Sequence, residues 1–234
     1  MLRNIICVAG AWFLILSSAA SAATSIQLAP PDANTAATTA VPQYLQRYAQ
    51  NRPLPSAPRK APLPQGPTKV YLLRGLMNVF SLGMDDLAAK LQADGIAATV
   101  MNHADSDFVA SRIMTAYNSG DHGPIVLIGH SLGADAIVEV ADTLAHYNIP
   151  VALLVLYDGT DNHQIPANVT TAINYTKHFM IMAAPGSRAI VSNVDLSGDP
   201  GIDHLNIDKL PSLQAQTVNY VLQAGTAAAP PRRQ

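Results

Sequence analysis

The stretch Ile125-Val126-Leu127-Ile128-Gly129-His130-Ser131-Leu132-Gly133-Ala134 passes from apolar, β-branched residues through Gly-His-Ser-Leu-Gly into a helical pattern. A short apolar run closed by glycine reads as a buried strand. A serine at the turn from such a strand into a helix is held in a strained backbone conformation, with its hydroxyl above the sheet. Gly129 and Gly133 stand where a Cβ is expected to collide with the neighbouring strand or helix. The first turn of the following helix leaves free N–H groups and a positive dipole end beside Ser131, where an oxyanion would be stabilised.

On both sides the chain alternates in the same way. Val70 to Leu73 reads as a strand, closed by Gly75; Asp85 and Asp86 open a helix with Leu87, Ala88 and Leu91 on its apolar side. Gly95 stops that helix before a strand over 96–101, and a second helix is expected from Asp105 to Tyr117. Beyond Ser131 a helix buries Leu132, Ala136, Ile137, Val140 and Leu144. Val151 to Leu156 and Phe179 to Ala183 read as apolar strands, Ile190 to Val194 as an edge strand. Asp208 is expected to cap a last helix lined by Leu210, Leu213, Thr217, Tyr220 and Val221. Nearly continuous apolar strands alternating with helices predict an α/β fold: a mostly parallel central sheet with helices on both faces. Residues 67–224 are enough for one core and one domain, and no internal repeat is visible.

The flanks read differently. Arg3, the apolar run from Ile5 to Leu16 and Ala20-Ser21-Ala22 form the pattern of a signal peptide over 1–22. The run is too short for a comfortable membrane span, so no stable span is expected after cleavage. A bacterial-type signal of this kind implies a periplasmic or secreted protein. Residues 23–66 form a Pro/Ala-rich leader or tether, with room for one short helix over Tyr44 to Gln50, and 225–234 a disordered Ala/Pro tail. Cys7 is the sole cysteine and lies within the signal segment. Cleavage after Ala22 therefore removes any disulfide, thiol nucleophile or cysteine metal site. With a net charge of −2 and no basic stripe or cluster, nothing suggests nucleic-acid binding.

A serine hydroxyl becomes a useful nucleophile only when a base takes its proton and a third group orients that base. After a Gly-x-Ser-x-Gly turn the chain order is serine, acid, histidine. Asp158 follows the Val151–Tyr157 strand, and His204 lies in the loop 198–205 ahead of the closing helix. His163 and His178 compete as the base; Asp161, Asp195, Asp199 and Asp203 compete as the acid. His130 is assigned to packing at the turn, and His103, His122 and His146 avoid the expected site.

Through Gly129-His130-Ser131-Leu132-Gly133, Tyr157-Asp158-Gly159 and Asp203-His204-Leu205, residues 68–223 resemble a compact α/β-hydrolase of the thioesterase and lipase-like branch. The resemblance implies a Ser131–His204–Asp158 triad, and backbone oxyanion donors at Leu132 and in the loop from Arg74 to Asn78. Leu76 is the preferred second donor and Met77 the alternative. Where that family often has His-Gly after the first strand, this chain has Arg74-Gly75; a backbone donor does not depend on that side chain. Arg74 itself suits a structural role, or a charge offered to a substrate head group.

Asp195-x-Ser197-x-Asp199-x-Gly201 superficially suggests a calcium loop, but Pro200 occupies the position that needs glycine and the final glutamate is missing. Asn168-Val169-Thr170 matches a glycosylation acceptor, which carries no information behind a bacterial-type signal. The implied activity is that of an exported serine hydrolase acting on a small-molecule or lipid acyl ester or thioester, with no metal or cofactor. A non-catalytic binding module on the same scaffold and an acyltransferase with the same triad are the alternatives. About twenty residues between Asp158 and the next expected strand leave no room for a large cap, and imply an open, shallow site.

Overall fold

The computed structural model describes residues 66–76 and 81–227. The signal segment, residues 23–65 of the leader, Met77, Asn78 and residues 228–234 of the tail lie outside them. In chain order the main sheet is formed by β1 (Lys69–Arg74), β2 (Ala97–Asn102), β3 (Ile125–His130), β4 (Val151–Tyr157), β6 (Val169–Thr176) and β8 (Ile190–Asp195). Two three-residue strands, β5 (His163–Ile165) and β7 (Ile181–Ala183), pair separately. The helices are α1 (Gly83–Ala93), α2 (Ser106–Asn118), α3 (Leu132–His146) and α4 (Pro211–Ala227).

The six strands lie in the order β2-β1-β3-β4-β6-β8, every neighbouring pair parallel. Alternate side chains divide the core between the two faces. Val70, Leu72, Val126, Ile128 and Val155 pack with Met84, Leu87 and Leu91 of α1 and with Leu213 and Val221 of α4. Tyr71, Leu73, Leu127, Leu154 and Leu156 pack with Val109 and Ile113 of α2 and with Ile137, Val140 and Leu144 of α3. Central strands covered on both sides must be apolar throughout, and β3 is buried at all six positions.

This is the expected α/β sheet, with four corrections of detail. The strand beside β4 is Val169–Thr176, which the apolar pattern does not announce because Thr171, Asn174 and Thr176 interrupt it. Buried Asn174 is tolerated because its amide donates to the Phe179 carbonyl at 2.9 Å and to Asn193 Oδ1 at 2.9 Å. The stretch expected as a buried strand over 179–183 contributes only β7, whose Met182 is 56% exposed. Asp208, expected to cap α4, instead sits in the turn Ile207–Lys209 and accepts the Gly83 N–H, the first of α1, at 3.0 Å. Helix α4 reaches Ala227, three residues into the expected tail.

The sheet order reverses between β1 and β3: from β1 the chain moves to β2 on one side, and from β3 it continues toward β8 on the other. Open parallel sheets bind their ligands in the crevice outside the carboxyl ends of the strands at such a point. Gly75 follows β1 there and Ser131 follows β3.

Candidate active site

Ser131 is the single residue between β3 and α3, with φ 57° and ψ −130°. Side chains rarely adopt that backbone, and holding one there costs of order 1–3 kcal/mol. The strain is maintained by close packing around it. A Cβ on Gly129 would lie 2.1 Å from the Gly133 carbonyl oxygen, and one on Gly133 2.1 Å from that of Leu73. A Cβ on Gly75 would lie 2.7 Å from the Ser131 Cβ. The Ser131 N–H donates to the Tyr157 carbonyl at 3.0 Å, tying the turn to the end of β4.

One residue beyond that carbonyl, Asp158 is buried with φ 46°. Its N–H donates to the Tyr175 carbonyl at 2.7 Å, and its Oδ1 accepts the Lys177 N–H at 2.8 Å. Its Oδ2 faces His204 Nδ1 at 2.8 Å, while His204 Nε2 lies 2.9 Å from Ser131 Oγ. A carboxylate only accepts, so Nδ1 carries the imidazole proton and Nε2 is left to accept from the serine hydroxyl. Three residues from three loops thus form one hydrogen-bonded line.

The competitors complete no such line. His163 Nε2 is 2.7 Å from Asp135 Oδ1, and exposed His178 stands 4.0 Å from Asp158 Oδ1 on the side away from the His204 contact. Asp161, Asp195, Asp199 and Asp203 accept N–H groups within their own turns, from Asn162, Ser197, Gly201 and Leu205 respectively. The calcium-like loop therefore turns its carboxylates onto its own backbone. Among the described residues no cluster of His, Cys, Asp or Glu is placed to hold a metal ion.

Burial opposes the charge on Asp158, but the hydrogen bonds from His204 and Lys177 outweigh it and hold the carboxyl below its ordinary range. The bond to Asp158 raises the His204 pKa above the ordinary 6.5, against a smaller opposing effect of burial. The pair is therefore arranged to favour an imidazolium beside a carboxylate.

Leu132 opens α3 beside Ser131, and Leu76 follows Gly75 with its side chain 57% exposed. Arg74 does not face outward as a free charge. Its guanidinium holds Asp85 in the first turn of α1 through two hydrogen bonds, Nε to Oδ2 at 2.8 Å and Nη2 to Oδ1. Lys177 was not legible as part of the site. Its ammonium donates to the Asp199 carbonyl at 2.7 Å and that of Ile202 at 2.5 Å, so one residue grips both Asp158 and the loop carrying His204. A lysine just after a strand gives no sequence signal for such a contact.

The parallel sheet, the strand–serine–helix turn and the serine–acid–histidine order define a compact α/β-hydrolase fold. No family model and no curated protein sequence matches the chain. Among solved structures it is similar to a cutinase-like protein from Cryptococcus sp., at 15% identity and TM-score 0.45, covering 70% of this chain and 97% of that one. It is also similar to the type II thioesterase BorB of the borrelidin biosynthetic cluster, at 12% identity and TM-score 0.42, covering 73% and 100%. A third is the RedJ thioesterase of prodiginine biosynthesis in Streptomyces coelicolor, at 13% identity and TM-score 0.44, covering 70% and 91%.

Proposed function

We propose that the protein is an exported serine hydrolase that cleaves carboxylic esters or thioesters through an acyl-enzyme. The observation that carries this reading is the position of His204, within hydrogen-bond reach of Ser131 Oγ and Asp158 Oδ2 at once. Ser131 Oγ attacks the acyl carbon as His204 Nε2 takes its proton, and Asp158 fixes the tautomer and stabilises the imidazolium. The Leu132 and Leu76 N–H groups hold the oxyanion of the tetrahedral intermediate. His204 passes the proton to the departing alcohol or thiol; it then activates a water that releases the acid and restores Ser131.

Two features bear on the substrate. Leu76 and Leu205, next to Gly75 and His204, are 57% and 50% exposed and give the site an apolar rim. Among the described residues the segments after β4 and after β6 contain only β5 and β7, with no helical cap. Both suit an apolar acyl group approaching an open site. The signal pattern of residues 1–22 favours oxygen esters, since coenzyme A thioesters are cytoplasmic metabolites.

The test is turnover of nitrophenyl esters of increasing chain length and of acyl thioesters, with and without an alcohol acceptor. Ester hydrolysis that Ser131→Ala abolishes is expected. Product ester formed in preference to free acid when alcohol is present would reassign the protein as an acyltransferase, and a folded protein inert in every arm would overturn the enzyme reading.

A further inference from the structure

His130, the residue before the nucleophile, makes contacts that packing alone does not require. It is 1% exposed, on the sheet face toward α1 and α4, beneath the loop that carries His204. Its Nε2 lies 2.7 Å from the His204 backbone carbonyl, and its Nδ1 2.8 Å from Ser81 Oγ. Ser81, also 1% exposed, accepts the Gly75 N–H at 2.9 Å.

The donors and acceptors along this line can be ordered without ambiguity. A carbonyl only accepts, so His130 Nε2 must carry the proton. Burial keeps the imidazole neutral, its pKa pushed down to about 4, so Nδ1 is an acceptor. Ser81 must then donate to Nδ1, which leaves its oxygen for the Gly75 N–H. Buried Asp208 lies 3.8 Å from His130 Nδ1, beyond hydrogen-bond reach, and does not displace Ser81. The result is one directed chain, Gly75 N–H to Ser81 Oγ–H to His130, and His130 Nε2–H to the His204 carbonyl. It joins the turn after β1, the nucleophile turn and the base loop.

We propose that His130 is a positioning residue: through its Nε2–H it holds the backbone of His204, and with Ser81 it keeps the base loop in register with Gly75 and Ser131. The inference rests on the reading of Ser131 and His204 as the reacting pair. A misplacement of about 1 Å in such a pair costs up to 100-fold in rate. Lys177 grips the same loop at Asp199 and Ile202, so losing His130 is expected to shift His204 without releasing the whole loop.

The two amide substitutions separate this role from packing. In His130→Gln the amide nitrogen reaches the place of Nε2 and can still donate to the His204 carbonyl; in His130→Asn the amide reaches only the place of Nδ1. We expect His130→Asn to lower kcat by about 10- to 100-fold with little change in KM, and His130→Gln to recover most of it. Ser81→Ala, a smaller change, leaves His130 Nδ1 and the Gly75 N–H without their partner and is expected to lower kcat by about 3- to 10-fold. The readout that does not need turnover is the far-downfield proton resonance of His204 Nδ1–H on Asp158. It is expected in wild type and His130→Gln, and broadened or lost in His130→Asn. Equal kcat and an unchanged resonance in folded His130→Asn and Ser81→Ala would overturn the proposal. So would Gln and Asn variants that fall together in kcat and in this resonance. A wild type with no turnover, whose resonance still follows the Gln and Asn pattern, would support the positioning role while overturning the hydrolase reading.

Discussion

Ser131 occupies a backbone conformation that three glycines make room for, and its hydroxyl meets an imidazole that is itself hydrogen-bonded to the buried carboxylate of Asp158. Ser131→Ala is expected to fold normally and to lose activity by about a millionfold, measured as kcat against a nitrophenyl ester. In the proposed mechanism His204 works as neutral imidazole, and the hydrogen bond to Asp158 raises its pKa above the ordinary 6.5. The acid limb of kcat/KM is therefore expected above the ordinary histidine value, with activity falling as pH drops through it. Asp158→Asn removes the carboxylate that raises that pKa. Its limb is expected to move toward lower pH while activity drops by about 10,000-fold; a limb that stays in place would show that another group sets it. That Ser131, Asp158 and His204 meet was legible because a strand–glycine–serine–helix turn is local and its partners follow in the order acid, histidine. The contacts of His130 and Lys177 were not. Each joins residues far apart in the chain, and a histidine inside Gly-x-Ser-x-Gly reads as packing until the loop above it is known.

At the level of elements, the site depends on how closely β1, β3 and α3 approach one another. Gly133→Ala places a methyl 2.1 Å from the Leu73 carbonyl oxygen, a backbone atom that cannot rotate away. A loss of about 3 kcal/mol or more is expected by chemical denaturation, against about 1–2 kcal/mol for Gly95→Ala, whose Cβ would meet open space and whose cost is only the strain of a φ of 78°. Asp208 joins the turn before α4 to the start of α1 and is fully buried, with Oδ1 unpartnered. Burial pushes its pKa up to about 6 from the ordinary 3.8. Folding thus favours the protonated form, so the wild type loses stability as pH rises from 3.8 through about 6. Asp208→Asn stays neutral and keeps an acceptor for Gly83; it is expected to gain on wild type by roughly 3 kcal/mol between about pH 4 and about pH 8. A difference independent of pH would mean that Asp208 titrates normally. Strands β1 to β4 were legible from apolar runs of the right length. Strand β6 was hidden because Asn174 and the threonines interrupt its apolar run, and the contacts that let buried Asn174 sit there, with Phe179 and Asn193, are ones the local pattern cannot display.

Across the whole molecule, one α/β domain carries the site at the switch point of its sheet, and the fold needs no covalent staple. The chain holds one cysteine, so no intrachain disulfide exists. Calorimetric Tm with and without dithiothreitol is expected to be the same. Among the described residues no helix is long and apolar enough to cross a membrane. We propose export with cleavage after Ala22, which N-terminal sequencing of the secreted product would show as a chain beginning at Ala23; an intact Met1 on membrane-bound protein would assign an uncleaved anchor instead. The proposed function requires Ser131 to be an activated nucleophile. Its most direct measurement is reaction of the purified protein with a fluorophosphonate, followed by peptide mapping, beside Ser131→Ala and His204→Ala. Modification of wild type at Ser131 alone, lost in both variants, is the predicted result. A folded wild type that remains unmodified, or is modified equally in the His204→Ala variant, would contradict it.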